Sequence, residues 1–277
     1  MEEFKSFYTE GDRKVNTWCR WSDRLDTYGC GCAHNCSYCY ARSLLDFRGL
    51  WHPDNPAVAD KYEIRKVISR KLKPGDVIRL GGMTDCFQPA ERIYRRTLEA
   101  IRMCNWRGIH YLIVTKSPLI LEYADTLSQK LAHIQISITS TDAATSKRME
   151  PGAPLPAARI KAVEQLSALG FDTSVRLSPF VPEMVDLDVI NAIKCDKILI
   201  EFLKVSPRIK KWFDIDYSPY TLKCGSYLHL PLNKKIELAN LITGYKERTV
   251  GEFVPAHHKY FSQHFNANPD DCCNLRI

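Results

Sequence analysis

Between residues 77 and 205 the chain alternates short apolar segments with longer segments of helical spacing. The strand-like segments have the length of buried strands and lie at 77–83, 109–115, 134–139, 172–178 and 197–205. The helix-like segments lie at 89–104, 118–130, 156–169 and 185–194. Strands that alternate with helices are typical of parallel βαβ units. One more strand, ending near residues 27–28, brings the total to six and predicts an α/β fold that forms a partial barrel, open on one side.

The segments outside this alternation define the remaining parts of the chain. Short helices are expected at about 41–48, 57–72 and 231–245. We therefore expect a barrel domain over residues 26–205. A polar lead-in over 1–25 packs across the barrel mouth, and a C-terminal extension over 206–277 forms a substrate wall or lid.

Composition narrows the class of protein. The chain has 277 residues, eleven cysteines at scattered spacings and no uncharged apolar run that approaches the length of a membrane span. This predicts a cytoplasmic protein without a membrane partner, whose cysteines are reduced rather than paired in disulfides. The net charge of +7 permits binding to a polyanion such as DNA or another nucleic acid. Basic residues gather at 65–73, 92–96 and 204–211, and solvated helix faces are the alternative reading of the first two.

Three cysteines, Cys32, Cys36 and Cys39, lie on one short loop with the spacing C-x3-C-x2-C. Three thiolates can hold three irons of a [4Fe–4S] cube and leave the fourth iron without a protein ligand. Cubes that only transfer electrons are normally closed by four cysteines, so the loop predicts an iron kept open for a substrate or cofactor. A structural zinc is the alternative, but it needs a second cysteine pair or a Cys/His partner at finger spacing.

The other cysteines add two lesser alternatives. Cys30 precedes the first ligand by two residues and can replace it if the register slips. A second cluster is not expected, because no C-x2-C pair accompanies the remaining candidates and adjacent cysteines rarely bind one metal together. These candidates are Cys195, Cys224, Cys272 and Cys273.

Several polar motifs fall where the predicted strands end. In parallel barrels the reacting groups lie at the carboxyl ends of the strands, so these motifs are expected to share one site with the cysteine loop. Glycines at a strand end let the backbone approach a ligand closely, and charged side chains there can pair with ligand groups of opposite charge. The candidates at strand ends are Gly81, Gly82, Asp85, Lys116, Ser137 and Thr139.

The cysteine loop resembles that of the radical SAM superfamily, in which the open iron binds S-adenosylmethionine (SAM). The stretch GCGCAHNCSYCYAR, TDCFQPAER at 84–92, TKS at 115–117, SIT at 137–139 and RMEPGAP at 148–154 together resemble the spore photoproduct lyase-like branch. The resemblance runs in order from about residue 28 to residue 186. It implies a partial (β/α)6 TIM barrel, a [4Fe–4S] cluster and SAM as cofactors, and a reductant such as flavodoxin or ferredoxin.

The resemblance also implies roles for individual residues around SAM. Tyr38 is similar to the aromatic residue that packs against the adenine, with core packing as the alternative. The stretch with Gly81 and Gly82 faces the methionine half of SAM, where Asp85 can pair with the ammonium or cap the following helix. Lys116 resembles the lysine that contacts SAM, and it also suits a substrate phosphate.

The remaining motif residues have weaker predicted roles. Ser137 and Thr139 can reach the ribose hydroxyls, with ordinary strand packing as the alternative. Arg148 and Glu150 belong to RMEPGAP, where a local pair that fixes the turn is the default interpretation.

Tyr40 matches the tyrosine that directly follows the last cluster cysteine in spore photoproduct lyase and is associated there with hydrogen-atom relay. That lyase also uses a cysteine donor just before the aspartate of the second strand, and here Gly82, Met83 and Thr84 occupy those positions. The nearest thiol is Cys86, which is either a displaced hydrogen donor or a buried cysteine. The departure leaves SAM cleavage untouched and puts the repair of thymine dimers in question.

Three hypotheses therefore follow from the sequence. The first is a radical SAM enzyme that abstracts a hydrogen atom from a thymine-derived lesion or modified base in nucleic acid. The second keeps the radical chemistry but acts on a peptide or a small metabolite. The third is a non-enzymatic nucleic-acid-binding protein that contains zinc.

Overall fold

The computed structural model describes residues 7–11, 21 and 23–277, and the following elements lie within these ranges. The strands, in chain order, are β1 (Tyr8–Thr9), β2 (Arg24–Leu25), β3 (Tyr28–Gly29), β4 (Ala57–Val58), β5 (Val77–Leu80), β6 (His110–Thr115), β7 (Ala132–Ile138), β8 (Asp172–Phe180), β9 (Lys197–Phe202), β10 (Leu222–Cys224), β11 (Tyr227–His229) and β12 (Glu247–Val250). The helices are α1 (Tyr40–Phe47), α2 (Lys61–Lys71), α3 (Ala90–Tyr94), α4 (Arg96–Arg107), α5 (Ala143–Met149), α6 (Pro156–Ala168), α7 (Leu187–Asn191), α8 (Ile209–Trp212), α9 (Leu232–Asn240) and α10 (Pro255–His264). Two 3-10 helices lie at Pro118–Tyr123 and Pro182–Met184.

One sheet organises the chain, with its strands in the order β1-β2-β5-β6-β7-β8-β9-β12. Within this sheet every pairing from β2 to β12 is parallel, and the short edge strand β1 pairs antiparallel with β2. The pairs β3–β4 and β10–β11 form two separate antiparallel sheets in the described residues. Six of the parallel strands are those that the sequence predicts. The expected α/β partial barrel is therefore confirmed.

The alternation of side chains along β7 shows how the sheet separates its two faces. Ile134, Ile136 and Ile138 are buried in the main hydrophobic core, which includes residues of the covering helices. Gln135 lies between them and points to the other face, where its Nε2 donates to the backbone oxygen of Cys273. Successive residues of a strand face opposite sides of the sheet. Apolar side chains of β7 therefore pack against the helices on the outer face, and its polar side chains lie on the inner face.

The sheet continues beyond the predicted end of the barrel at residue 205. Strand β12 pairs in parallel with β9, so part of the C-terminal extension belongs to the barrel sheet itself. Sequence inspection missed this strand because it is only four residues long and follows an irregular region. The role of residues 206–277 as a substrate wall or lid stays a prediction.

The last residues of the chain lie at the amino-terminal ends of the barrel strands. The backbone N–H of Arg276 donates to Asp172 at the start of β8, over 3.0 Å, and the backbone oxygen of Asn274 accepts from Lys197 at the start of β9. Cys273 and Leu275 are buried in a small apolar cluster with Val77 and Leu112, separate from the main core. This terminal segment fills the end of the barrel that is opposite to the predicted site.

Several predicted helices differ from those in the structure. The helix expected over 118–130 is only the 3-10 helix Pro118–Tyr123, because side chains take over the backbone groups that would continue it. Asn105 Nδ2 donates to the oxygen of Thr126 over 2.7 Å, and the N–H of Ser128 donates to the Tyr111 hydroxyl over 3.0 Å.

Other helix boundaries depend on local caps. Asp60 caps α2, so the expected helix over 57–72 begins later, and residues 57–58 pair with β3 instead. Asp142 caps α5, which sequence inspection missed. The helix expected over 185–194 is limited to α7, which begins after its cap at Asp186.

The lead-in predicted over residues 1–25 lies largely outside the described ranges. Among the described residues, none of the helices combines the length and the apolar character that crossing a membrane requires.

Candidate active site

The cysteine loop runs from β3 to α1, at the edge of the sheet where the parallel strands end. Cys32 and Cys36 are buried, whereas Cys39 is half-buried and caps α1, its Sγ accepting from the N–H of Arg42 over 3.4 Å. Gly31 has no space for a side chain, since a Cβ there would lie 2.0 Å from the backbone oxygen of His52. The loop is therefore tightly packed directly before its first cysteine.

The motif that follows β5 holds the loop from one side. Asp85 Oδ2 lies 3.3 Å from His34 Nδ1, between the first and second cysteines. Gln88 accepts from the N–H of Ala33 over 3.0 Å and donates to the oxygen of Gly31 over 3.4 Å. Residues of the TDCFQ stretch thus fix the loop by direct hydrogen bonds.

Asp85 is committed to these structural contacts. Its Oδ1 accepts from the Thr115 hydroxyl and the Phe87 N–H, and its Oδ2 accepts from the Lys116 N–H over 2.7 Å. Burial acts to raise the pKa of Asp85, but His34 and these hydrogen bonds outweigh it and lower the pKa to about 2. With His34 included, every acceptor position of the carboxylate is taken. In the structure the carboxylate fixes the loop, and the predicted pairing of Asp85 with the SAM ammonium stays a prediction.

The motif RMEPGAP holds the loop from the other side. The N–H of Ser37 donates to the oxygen of Met149 over 2.8 Å, and the N–H of Gly152 donates to the oxygen of His34 over 3.2 Å. A Cβ on Gly152 would lie 1.8 Å from the backbone oxygen of Ala33. Only glycine allows the two backbones to approach so closely.

Glu150 of the same motif is the centre of a buried network. Its carboxylate accepts from Arg159, whose side chain is fully buried, so the expected local pair with Arg148 is replaced by a pair with a residue of α6. It also accepts from the Thr139 hydroxyl over 2.7 Å and from the Tyr38 hydroxyl. The Thr139 hydroxyl thus donates within this network, and its predicted contact with the SAM ribose stays a prediction.

Lys116 and Tyr38 face each other beside the cysteines. Lys116 Nζ lies 5.6 Å from the centre of the Tyr38 ring and 3.9 Å from Glu150 Oε1. Burial acts to lower the pKa of Lys116, but Cys36 and Glu150 outweigh it and raise the pKa. Lys116 therefore stays cationic, as its predicted contact with a carboxylate or phosphate requires.

Gly81 and Gly82 form a tight turn at the end of β5. Gly81 has a φ of 78°, in the region that favours glycine. The N–H groups of Gly82 and Met83 converge on Asp26 Oδ1, over 2.6 and 2.8 Å. Tyr40 donates its hydroxyl to the oxygen of Gly82 while its side chain remains 44% exposed. The structure thus places Tyr40 at the barrel mouth.

Two other predicted residues occupy less accessible positions. Cys86 is fully buried in the main core, as the alternative of a buried cysteine expects. Its role as a displaced hydrogen donor stays a prediction. Ser137 is 4% exposed on β7, and its backbone oxygen accepts from Arg159 over 3.3 Å.

The residues of the loop fit an iron–sulfur cluster. Burial raises the pKa of Cys32 to about 12 and that of Cys36 well above its ordinary value. A metal ion deprotonates such thiols on binding. Asn35 Oδ1 and Ser37 Oγ are buried without a hydrogen-bond partner within the described part of the chain, a condition that a bound group would relieve.

A site for a single metal ion is a different question from a cluster site. Within residues 7–11, 21 and 23–277, no three His, Cys, Asp or Glu side chains lie close enough together to hold one ion. A cube distributes its cysteines over different irons, so this finding does not bear on a cluster.

A group of charged side chains lies on the inner face near the mouth. Arg176 pairs with Glu201, which also accepts from the Ser178 hydroxyl over 2.6 Å. Arg79 contributes to lowering the pKa of Glu201, and Lys204 lies at the end of the same strand. Two arginines and a lysine thus lie near Glu201, and Glu252 is a second carboxylate that acts on the lysine.

Sequence reasoning missed Asp26, His34 as a hydrogen-bonding residue, Gln88 and Arg159. Gln88 and Glu150 lay within recognised motifs, so their participation was open to prediction. Arg159 carries no such signal, because one arginine on an amphipathic helix is normally exposed.

A parallel barrel with three cysteines on a loop at its strand ends defines a class of cofactor-dependent barrel proteins. The profile of the Radical SAM superfamily matches residues 27–195, which is more than half of the chain, and the chain belongs to this superfamily. Members of the superfamily are enzymes that use a [4Fe–4S] cluster and SAM. The predicted family is confirmed, and the assignment argues against the non-enzymatic zinc alternative.

The sequence relatives are themselves uncharacterized. A protein of Mycobacterium bovis is 28% identical over 170 residues, which cover 56% of this chain and 49% of that protein. A protein of Acidianus two-tailed virus is 25% identical over 178 residues, which cover 58% of each chain. The matched region thus spans about half the length of the first of these relatives.

Solved structures show the same fold. Spore photoproduct lyase complexed with dinucleoside spore photoproduct superposes with a TM-score of 0.62 at 13% identity, over 84% of this chain and 77% of that chain. Methylornithine synthase superposes with a TM-score of 0.54 at 14% identity, over 86% and 67% of the two chains. At these identities the similarity establishes the fold alone.

Proposed function

We propose that this chain is a radical SAM enzyme of the spore photoproduct lyase-like branch. Cys32, Cys36 and Cys39 hold the [4Fe–4S] cluster, and SAM binds beside it. One observation carries the proposal. A loop with three cysteines lies at the strand ends of a radical SAM barrel, and hydrogen bonds from two separate motifs fix its shape.

When bound, the cluster and SAM supply a 5′-deoxyadenosyl radical that abstracts a hydrogen atom. The protein binds and orients the reacting groups. Lys116 provides a half-buried cation for the SAM carboxylate, and the Glu150 network fixes Tyr38 beside the cysteines. Tyr40 lies at the mouth, where a hydrogen-atom relay to substrate requires it.

The substrate that we propose is a nucleic acid that carries a thymine-derived lesion or a modified base. The similarity to the branch, the net charge of +7 and the arginines and lysine of the inner face support this class. A flavodoxin or ferredoxin is the proposed reductant. A peptide or a small metabolite remains the alternative substrate.

Anaerobic reconstitution with iron and sulfide, followed by dithionite and SAM, tests the cofactor chemistry. We expect formation of 5′-deoxyadenosine, and Cys36→Ala should abolish it. Cys224→Ala is the matched control, because Cys224 lies on β10 and should leave the product unchanged. Persistent cleavage in Cys36→Ala would defeat the cluster assignment.

A binding titration tests the substrate class. Nucleic-acid binding should weaken steeply as the salt concentration rises, because neutralised phosphates release counterions. Absence of binding at low salt, together with intact SAM cleavage, would favour a peptide or a small metabolite.

A further inference from the structure

Two helices extend from the cysteine loop to the protein surface. Helix α1 begins at Tyr40, directly after its cap Cys39. Helix α8 ends at Trp212, and the next residue, Phe213, packs its ring edge-on against Tyr38 with 5.7 Å between ring centres. Both helices are therefore anchored beside the predicted cluster.

Helix α1 exposes an apolar face. Tyr40, Leu44 and Phe47 are 44%, 45% and 73% exposed. Their spacing of four and three residues places them on one side of the helix. Ala41 and Leu45 are buried, so the exposed face is not needed to hold the helix on the barrel.

Arginines lie over aromatic rings of this surface. The Arg208 guanidinium is 4.9 Å from the centre of the Phe47 ring, and Arg208 also contacts Asp46 over 3.1 Å. The Arg42 guanidinium is 4.3 Å from the centre of the Trp212 ring. Arg208, at the start of α8, lies over a ring of α1, and Arg42 of α1 lies over a ring of α8. These contacts join the two helices into one surface. We call the four residues Arg42, Phe47, Arg208 and Trp212 the aromatic rim.

The charge around the aromatic rim is strongly positive. Residues 40–48 and 208–212 together contain five arginines and lysines and one acidic residue, Asp46. A cationic surface of this kind fits a partner that carries closely spaced negative charges.

We propose that the aromatic rim binds unpaired nucleotides of a nucleic-acid strand next to the base that enters the barrel mouth. The inference rests on the proposed function and extends it to a second contact surface. Bases stack on aromatic side chains with about 1–3 kcal/mol per base, whatever their sequence. An arginine that lies over such a ring places its cation next to the stacked base, where the guanidinium can contact the phosphate of the same nucleotide. In a duplex the faces of the bases are covered by stacked neighbours. The surface therefore fits a single strand or a duplex that is locally opened.

An acidic protein, such as an electron carrier, also matches the charge of this surface. An acidic protein has no bases to stack on the exposed rings, however. A measurement of base stacking therefore distinguishes the two kinds of partner. Phe47 is the residue to change, because its high exposure makes an effect on folding small.

The test is a fluorescence-anisotropy titration of the reconstituted protein with a labelled oligothymidine and with an abasic strand of equal length. Phe47→Ala should weaken oligothymidine binding by about 5- to 150-fold, the equivalent of one lost stacking contact. It should leave abasic-strand binding unchanged, whereas Arg208→Gln should weaken both strands. Tyr62→Ala is the matched control, because Tyr62 on α2 is also exposed, with Lys66 Nζ 5.9 Å from its ring centre. It should bind as the wild type does.

Equal affinity of the wild type for the two strands would overturn the inference, as would equal effects of Phe47→Ala and Tyr62→Ala. Slower reduction by an acidic carrier in Phe47→Ala, with unchanged oligothymidine binding, would also overturn it and assign the rim to the carrier. The proposed function is judged separately, by SAM cleavage in the wild type. SAM cleavage without base stacking would contradict only the proposed binding by the aromatic rim. Absence of SAM cleavage would contradict the proposed function.

Discussion

Asp85 Oδ2 and His34 Nδ1 lie 3.3 Å apart, and this contact joins the end of β5 to the middle of the cysteine loop. Both side chains are almost completely buried. The Asp85 carboxylate therefore helps to fix the shape of the cysteine loop.

Replacing Asp85 with alanine should lower both cluster content and stability. The change leaves the N–H groups of Phe87 and Lys116 and the Thr115 hydroxyl without their acceptor. Each buried unsatisfied group costs about 1–3 kcal/mol, so the free energy of unfolding should fall by about 3 kcal/mol or more. Iron per chain after reconstitution and urea unfolding measure the two effects.

Asp60→Ala is the control for that change. Asp60 caps the exposed start of α2, and its loss should cost about 1 kcal/mol while iron binding stays intact. A fully loaded Asp85→Ala protein of normal stability would show that the loop does not need this contact.

Gly152→Ala should displace the cysteine loop. The added Cβ would lie 1.8 Å from the backbone oxygen of Ala33, so one of the two backbones must move. We expect a large loss of bound iron, measured by the cluster absorption and by iron analysis. Gly225→Ala separates this effect from ordinary glycine strain, since Gly225 has a φ of 57° and open space around it. That variant should lose about 1–2 kcal/mol of stability but retain iron.

Glu150→Gln should destabilise the chain by about 3–5 kcal/mol, the usual cost of removing one partner of a buried ion pair. Arg159 would keep its charge in a fully buried position, without the carboxylate that accepts from it. Urea denaturation measures the loss. Asp196→Asn removes an exposed pair with Lys246 and should change stability by less than about 1 kcal/mol. Equal effects in the two variants would contradict the buried network.

His229 should make stability depend on pH. Burial first, and Lys235 second, lower the pKa of His229 to about 4 in the folded chain, below the ordinary value of about 6.5. Between these values the unfolded chain binds the extra proton, so the free energy of unfolding should fall as the pH falls from about 6.5 to about 4.

His229→Gln should flatten this slope in urea titrations of the cluster-free chain. Because the comparison with the wild type is made at each pH, the titration of other groups cancels. His264 is exposed near the end of α10, and His264→Gln should leave the slope unchanged. A wild-type slope that persists in His229→Gln would refute the assignment to this residue.

The sequence allowed prediction of those parts of the fold that repeat or that follow a local pattern. Alternating apolar segments predicted the six parallel strands, and the spacing of Cys32, Cys36 and Cys39 predicted the cluster loop. The motifs at strand ends were also correctly expected to meet, because parallel strands end at the same edge of a sheet.

The failures have a common physical cause, which is that tertiary contacts decided the outcome. Helix propensity favoured 118–130 as one helix, but Asn105 and Tyr111 bind the backbone of its second half. Arg159 is buried only because Glu150 faces it, and no spacing rule connects these two residues. The contacts of Asp85 with the Thr115 hydroxyl and the Lys116 N–H likewise join two strand ends, and no local pattern announces them.

The terminal segment gives the barrel the shape of a cup. Cys273 and Leu275 pack among inward-facing side chains, while Asn274 and Arg276 attach to the starts of β9 and β8. In the described part of the chain this segment therefore lies across the end where the strands begin. For the proposed reaction we expect substrate to enter by the mouth and product to leave along the same route before the next substrate binds.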